Sequence, residues 1–241
     1  CEPCSVNLGN DKIVCENQTV SLIANANTQG TYTWNTGQIG SSIVVTPKVT
    51  TTYSVTFRSD LGCIATDTVL VIVQPIPEVN VGPDKIICEG QSVVISIDTV
   101  PGVTYHWSTG DTTRMITVSP SVTTSYSIRV DLGICSAEDE IKVIVNPLPD
   151  ATIEGRSNIC KGESTILEAK GGDSYLWNTG VITASITVAP DNNTSYTVTV
   201  TSAQGCSSVT SIIVYTDKCG KIGNFVWDDL NGNGLQEEGE P

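Results

Sequence analysis

The sequence has few of the residues that build helices, catalytic sites and nucleic-acid interfaces. Its 241 residues include one His, one Met and two Phe, with 12 Lys and Arg against 26 Asp and Glu. A single histidine leaves little basis for Ser-His-Asp chemistry. A net charge of −14 without any basic cluster disfavours nucleic acid and anionic membranes. No apolar run approaches the roughly 18 residues that span a bilayer, and we expect any signal peptide to have been removed or to lie outside this sequence.

A six-residue motif, Tyr-x-Trp-x-Thr-Gly, occurs three times, with its tryptophan at Trp34, Trp107 and Trp177. One cysteine precedes each Trp at a nearly constant interval, and another follows it at a nearly constant interval. Such a fixed period, here about 70 residues, predicts three copies of one structural unit. Units of this size have small hydrophobic cores, so covalent cross-links are expected to stabilise them.

Apolar residues alternate with polar ones in short runs throughout each unit. In the second unit Val93, Ile95 and Ile97 alternate with polar residues at 92, 96 and 98, the period of a half-buried strand, and no run has helical periodicity. Short strands divided by turn residues predict two-sheet antiparallel sandwiches with each Trp in a core. The proline-rich linkers 74–77 and 146–149 favour extended backbone. We therefore expect a rod of three units, each roughly 28 Å across and about 85 Å together.

Four motifs carry a family resemblance over most of the chain: Ile-Cys-x-Gly, Tyr-x-Trp-x-Thr-Gly, Thr-x-x-Tyr-x-Val and Gly-Cys. They resemble the Ig-like and polycystic-kidney-disease-like (PKD-like) repeats of large secreted bacterial surface proteins, often exported by the type IX system. Unit one departs by having Asn17 where the others have Gly, and unit two has Gly-Ile-Cys before residue 136. The resemblance implies adhesion or spacing at the cell surface, without catalysis.

The resulting fold class is all-β, with three tandem Ig-like/PKD-like antiparallel sandwiches in a rod and an incomplete fourth β domain. The predicted domains are 1–76, 77–148, 149–219 and 220–241.

Cysteine supplies the most distinctive chemistry of the sequence. Because the two cysteines of a unit have nearly the same separation in all three units, the repeat predicts same-unit disulfides, each adding about 4 kcal/mol. Disulfides require an oxidising compartment, and no unit has the Cys-x-x-Cys spacing of a zinc site. The predicted bonds are Cys15–Cys63, Cys88–Cys135 and Cys160–Cys206.

Three cysteines remain unmatched in this scheme: Cys1, Cys4 and Cys219. A rod of about 85 Å keeps Cys219 from Cys4 of the same chain. We expect Cys219 to bond to a cysteine beyond residue 241 or to an N-terminal cysteine of another copy, forming a head-to-tail polymer. Lipid modification of Cys1 is a further alternative.

The sequence after Gly220 differs from the repeats and resembles the opening of a B-type repeat of serine-aspartate adhesins. Oxygen-bearing groups stand at positions 1, 3, 5, 7, 9 and 12 of a calcium loop, with Gly234 at position 6 for the sharp turn. The alternative is an acidic Asn-Gly turn without an ion. The predicted Ca²⁺ ligands are Asp229, Asn231, Asn233, Leu235, Glu237 and Glu240.

Other candidate sites have simpler explanations. His106 is replaced by Thr33 and Leu176 in the other units, which indicates exposed surface. An acid/base pair could be built from the carboxylates of Asp67, Asp139 and Glu140. Carboxylates at such positions more often protect sheet edges, which is the explanation we favour. Short Asn-x-Thr/Ser and Asp-Thr motifs mark glycosylation candidates, with Thr112 the strongest because of its loop position. The full set is Thr68, Thr99, Thr112, Asn17, Asn192 and Asn193.

These features predict a non-enzymatic, extracellular structural segment: a stalk or surface-filament subunit of a bacterial adhesin. Its expected partners are other copies or neighbouring domains, with surface glycans or proteins of other cells as a second class. The alternative function is a carbohydrate- or protein-binding module that uses the loops after each Trp. Those loops are 38–40, 111–113 and 181–183, and their sequences differ, which favours the stalk.

If the loop at 229–240 binds Ca²⁺, removing the ion should loosen it, because its carboxylates repel one another without the cation. We expect a calcium chelator to accelerate protease cleavage near Asn231 several-fold. Cleavage in the 146–149 linker is the internal control and should not change. Equal cleavage rates near Asn231 with and without chelator would show that the turn holds no ion.

Overall fold

The structure, a computed structural model, describes residues 3–217. Strands, turns and bends account for these residues, and none of them lies in a helix. Within this range no helix therefore has the length and apolar character needed to cross a membrane. The chain divides into two compact units, Cys1–Asn146 and Pro147–Pro241. The first contains repeats 1 and 2 of the sequence, and the second contains repeat 3.

Repeat 1 is a two-sheet sandwich. One sheet has the order β2-β8-β7-β5, and the facing layer contains the pairs β3-β6 and β1-β4. The strands are β1 (Val6–Asn7), β2 (Lys12–Cys15), β3 (Val20–Ile23), β4 (Asn25–Ala26), β5 (Gly30–Trp34), β6 (Ser42–Val45), β7 (Thr51–Ser59) and β8 (Ile64–Gln74).

Repeat 2 follows the same plan. Its sheets have the orders β11-β13-β14-β9 and β10-β12. The strands are β9 (Lys85–Cys88), β10 (Val93–Ser96), β11 (Thr104–Trp107), β12 (Met115–Val118), β13 (Thr124–Leu132) and β14 (Cys135–Asn146).

Repeat 3 has a fuller second sheet. The orders are β16-β21-β20-β18 and β15-β17-β19. The strands are β15 (Thr152–Gly155), β16 (Asn158–Cys160), β17 (Thr165–Lys170), β18 (Ser174–Trp177), β19 (Ser185–Val188), β20 (Thr194–Thr201) and β21 (Ser207–Asp217).

Each sandwich has its own hydrophobic core, built by the alternating residues that the sequence singled out. In β7, for example, Tyr53, Val55 and Phe57 are buried while Thr56 and Arg58 between and beyond them are exposed. The same alternation buries residues 128 and 130 in repeat 2. Three separate core clusters result, one in each repeat. The predicted all-β sandwich fold is confirmed.

The three motif tryptophans are the largest side chains in their cores. Trp34, Trp107 and Trp177 are 2%, 4% and 1% exposed. Each indole Nε1–H donates a hydrogen bond to a backbone carbonyl in the following loop, at 2.8, 2.8 and 3.0 Å. Burial of the ring therefore leaves its one polar group satisfied. The prediction that these residues anchor the cores is confirmed.

One strand pair in every repeat runs parallel, in contrast to the predicted antiparallel arrangement. Short strands β2, β9 and β16 pair parallel with the long last strands β8, β14 and β21. The other strand pairs are antiparallel, as expected. Parallel neighbours need a long connection, and here nearly the whole sandwich lies between the two strands. This pairing positions the cysteines.

Asp67 and Asp139 have a structural role at the side of their strands. Their Oδ2 atoms accept hydrogen bonds from the backbone N–H of Leu8 and Val81, at 2.8 and 2.9 Å. The carboxylates thus hold the chain where it crosses toward β2 and β9. Strands β2 and β9 pair with β8 and β14 only from Val71 and Val143 onward. Asp67 and Asp139 precede these positions, so they lie at a locally open edge of the sheet, in agreement with the predicted protection of sheet edges.

Replacing Trp107 by Phe should destabilise repeat 2 by about 1–3 kcal/mol, because the change removes part of a buried ring and leaves the carbonyl of Thr113 without its indole donor. Urea unfolding of the full chain followed by far-UV circular dichroism measures the effect. The control is His106→Ala, one position earlier on β11 and 53% exposed at its side chain, which should shift unfolding by less than about 0.5 kcal/mol. Equal effects of the two substitutions would contradict the anchoring role.

Candidate functional site at the junction of two repeats

A cysteine turn ends the first strand of each parallel pair. The backbone N–H groups of Cys15, Cys88 and Cys160 donate to a side chain in the turn that follows, at 3.2, 3.0 and 3.1 Å. The acceptors are the Oε atoms of Gln18, Gln91 and Glu163.

The turn needs a residue with positive φ two positions after the cysteine. Asn17, Gly90 and Gly162 have φ of 64°, 81° and 90°. Asn is among the few non-glycine residues that adopt this conformation. The departure of repeat 1 from the Cys-x-Gly motif therefore preserves the turn.

These turns lie where the last strand of the repeat ends. The residue after each cysteine donates its N–H to the carbonyl of the final strand residue, at 2.9, 2.9 and 3.0 Å. The acceptors are Gln74, Asn146 and Asp217. We call this end of a repeat its exit end, because the chain leaves the sandwich there.

The second cysteine of each repeat lies at the opposite end. Cys63, Cys135 and Cys206 stand at or just before the first residue of β8, β14 and β21, in the hairpin that turns back from β7, β13 and β20. We call this the entry end. Each last strand has 11 or 12 residues, which separates the two ends by about 35 Å.

The predicted same-repeat disulfides are therefore wrong. Two bonded cysteines require Cα atoms within about 7 Å, whereas the register puts Cys15 opposite Gln74 at the far end of β8 from Cys63. Cys88 and Cys135 are separated in the same way along β14. The same register along β21 keeps Cys160 from Cys206.

The observed disulfides follow from this arrangement. Cys15 at the exit end of repeat 1 bonds to Cys135 at the entry end of repeat 2, with Cα atoms 5.6 Å apart and a sequence separation of 120. Cys63 bonds to Cys4, with Cα atoms 6.0 Å apart, so the assignment of Cys4 to the unmatched or intermolecular group was also wrong. The other cysteines of the described residues are disulfide-bonded as well: Cys88, Cys160 and Cys206.

The Cys15–Cys135 bond is enclosed by both repeats. Cys15 is 6% exposed and Cys135 is 1% exposed. The Oε1 atom of Gln74, the last residue of β8, accepts a hydrogen bond from the N–H of Ile134 at 3.4 Å, and its carbonyl oxygen lies 3.7 Å from the sulfur of Cys135. A Cβ at Gly133 would clash with the amide group of the Gln74 side chain. The φ of 57° at this position favours glycine, and a side chain there would make the Gln74 amide group shift.

Groups that could support catalysis are dispersed. His106 Nε2 lies 3.4 Å from Asp131 Oδ2 on the exposed surface, which confirms its predicted position. Glu140 is exposed, and its N–H donates to Asp139 Oδ1 at 2.9 Å. The pKa of Lys170 is raised because its ammonium group donates to a nearby glutamate carboxylate, that of residue 154. Between residues 3 and 217, His, Cys, Asp and Glu form no cluster suited to a metal.

The loops after the tryptophans share one backbone arrangement. The N–H of each Trp donates to a carbonyl across the turn, at 2.9 Å in all three repeats, and the turn glycine donates back to the Trp carbonyl. Their side chains differ: Gln38 in repeat 1, Asp111 in repeat 2 and Val181 in repeat 3 hold the same position. The structure therefore repeats the loop scaffold without repeating a set of ligand-binding groups.

The remaining predicted sites divide into two groups. The glycosylation candidates are all exposed, and their modification stays a prediction. Cys1, Cys219 and the calcium ligands from Asp229 to Glu240 lie outside the described residues.

Sequence reasoning missed Gln74, Gly133 and the partners of the cysteines. A signal for the pairing was present in the odd cysteine Cys4, whose sequence separation from Cys63 is 59. Gln74 and Asn146 at equivalent strand ends carried no comparable signal, since an amide before a proline linker is also common in exposed chain.

No protein-family model and no curated protein matches the chain. Solved structures similar to it include titin domains I67–I69 in a Glu-to-Ala variant, with 11% identity over 90% of this chain and 99% of that chain and a TM-score of 0.46. Extracellular domains 3–5 of Drosophila OTK have 9% identity over 90% of this chain and 98% of that chain, with a TM-score of 0.34. Sidekick-1 immunoglobulin domains 1–4 have 15% identity over 87% of this chain and 74% of that chain, with a TM-score of 0.34. The repeats are β-sandwiches in tandem, and at these identities and TM-scores the neighbours carry no information on activity or partners.

Proposed function

We propose that the chain is a non-enzymatic extracellular structural segment, a stalk or surface-filament subunit of a bacterial adhesin. The observation that carries the proposal is the disulfide between Cys15 and Cys135, which joins two consecutive repeats. Repeats connected by one peptide linker move relative to each other by default. A second covalent connection at the same junction opposes that motion, which suits a segment that must hold a distance.

The chemistry of the junction supports an extracellular location. Disulfides form and persist in oxidising compartments, and all the cysteines of the described residues are bonded. The near-complete burial of Cys135 also shelters the bond from attack by other thiols. The bacterial and type IX assignments rest on the repeat motifs, and calcium binding at residues 229–240 belongs to the same proposal as a site that would order the next domain.

A binding module is the second candidate function. The exposed loops after the tryptophans favour it, because they have one backbone form in all repeats. Their differing side chains rank it below the structural function, since a repeated ligand site should repeat its ligand-binding groups. Expected ligands are surface glycans or proteins, and other copies of the chain are the expected partners of the structural function.

Cleaving the linker tests the covalent junction. A recognition site for a sequence-specific protease, inserted after Ile76 in the full chain, allows cutting between repeats 1 and 2. After cleavage we expect a single full-length band on a non-reducing denaturing gel and two fragments after reduction. The control carries Cys15→Ser and Cys135→Ser and should give two fragments without reductant. Separation of the protein with its native cysteines into two fragments without reductant would refute the junction.

A glycan array separates the two candidate functions. The full chain with intact disulfides should show no saturable sugar binding if it is structural. The matched variant Asp111→Ala/Thr112→Ala alters the most polar of the three loops and leaves Trp107 in place. Saturable binding that this variant abolishes would make the binding module the correct function.

A further inference from the structure

The connectivity of repeats 1 and 2 defines a short covalent path through both. Cys15 follows Cys4 closely in the chain, and Cys135 begins the last strand of repeat 2, which ends at Asn146. The bond between Cys15 and Cys135 therefore bypasses every residue from 16 to 134. Those residues contain most of both sandwiches.

We propose that the Cys15–Cys135 disulfide is a force bypass: tension applied along the chain passes through residues 4–15, the bond and β14, and does not unfold either repeat. This inference rests on the proposed structural function and gives that function a mechanical property. A segment under tension with this connectivity resists extension even when its noncovalent contacts yield.

In repeat 2 the bypass loads a strand that cannot lengthen much. Tension enters at Cys135 and leaves at Asn146, the two ends of the 12-residue strand β14. A strand already rises about 3.3 Å per residue, close to the limit of about 3.6 Å for a fully extended chain. β14 is also held along most of its length by β13 and near its end by β9.

In repeat 1 the bypass loads only the first strands. Tension passes from Cys4 through β1 and β2 to Cys15. Strand β2 pairs with β8 at every position from Lys12 to Cys15. Force directed along β2 acts on these hydrogen bonds together, because they bridge the two strands sideways. While the bond is intact, no tension passes along the backbone of the remaining strands of the sandwich.

The bypass has a large effect on how far the chain can extend. Between residues 4 and 146 an unbridged chain could reach about 510 Å, at about 3.6 Å per residue. With Cys15–Cys135 intact, only residues 4–15 and 135–146 remain in the path, and the limit falls to about 80 Å.

The second disulfide gives an internal comparison. While Cys15–Cys135 is intact, Cys4–Cys63 lies off the shortest path and carries no load. If Cys15–Cys135 is absent, the path runs from Cys4 through Cys63 and along residues 63–146, with a limit of about 300 Å. The two bonds therefore have different mechanical consequences although both close loops in the same unit.

Single-molecule stretching of the full chain tests the bypass. One handle is attached at the N-terminus and the other through a clickable unnatural residue at exposed position Asp150. We expect Cys15→Ser/Cys135→Ser to lengthen the fully extended molecule by about 220 Å relative to wild type. The matched control, Cys4→Ser/Cys63→Ser, also loses one disulfide and should extend no further than wild type.

Equal lengths for wild type and Cys15→Ser/Cys135→Ser would overturn the bypass, and so would equal lengthening in the two variants. Circular dichroism and tryptophan fluorescence establish that each variant is folded before stretching. Wild type that is fully reduced before stretching provides a measurement without any substitution, with an expected gain of about 430 Å. Sugar binding on the array would refute the structural function without changing these lengths, so the two proposals fail separately.

Discussion

The parallel pairing of a short early strand with the long last strand of each repeat determines the rest of the architecture. β2 follows β8 in direction, so the turn that holds Cys15 lies beside Gln74, where the chain leaves the sandwich. The hairpin that holds the second cysteine necessarily lies at the other end. Cysteines so placed cannot meet within a repeat, but the exit end of repeat 1 meets the entry end of repeat 2. The parallel direction of β2 thus places Cys15 where it can bond to the next repeat.

Much of the fold was predictable because it depends on local patterns. Alternation of apolar residues predicted the buried positions of β7 and β10, and a recurring Trp among changing neighbours predicted the core anchors. The variation at the position of His106 predicted exposure. Each of these inferences concerns the environment of one side chain. Alternation along a strand indicates that environment directly, and so does comparison of equivalent positions in the three units.

The cysteine pairing was not predictable from the same information. A period of two is identical for parallel and antiparallel strands, so the sequence does not indicate that β2 and β8 run together. In a tandem array, equal spacing also fits bonds within a repeat and bonds between neighbours equally well. The structure distinguishes these schemes, because Cys63 bonds to Cys4 and Cys15 bonds to Cys135.

Bonding between repeats also changes what a disulfide does for small domains. On the loop-entropy model, closing the loop of Cys15–Cys135, with its sequence separation of 120, is worth about 4.9 kcal/mol, against about 4.2 kcal/mol for Cys4–Cys63, with its separation of 59. A bond within one repeat would restrict the unfolded chain of that repeat alone. The bond between repeats restricts residues of both, so part of the stability of each sandwich depends on its neighbour. Repeats with thin cores can then form a stable array, because the bond between them lowers the conformational entropy of the unfolded chain of both repeats.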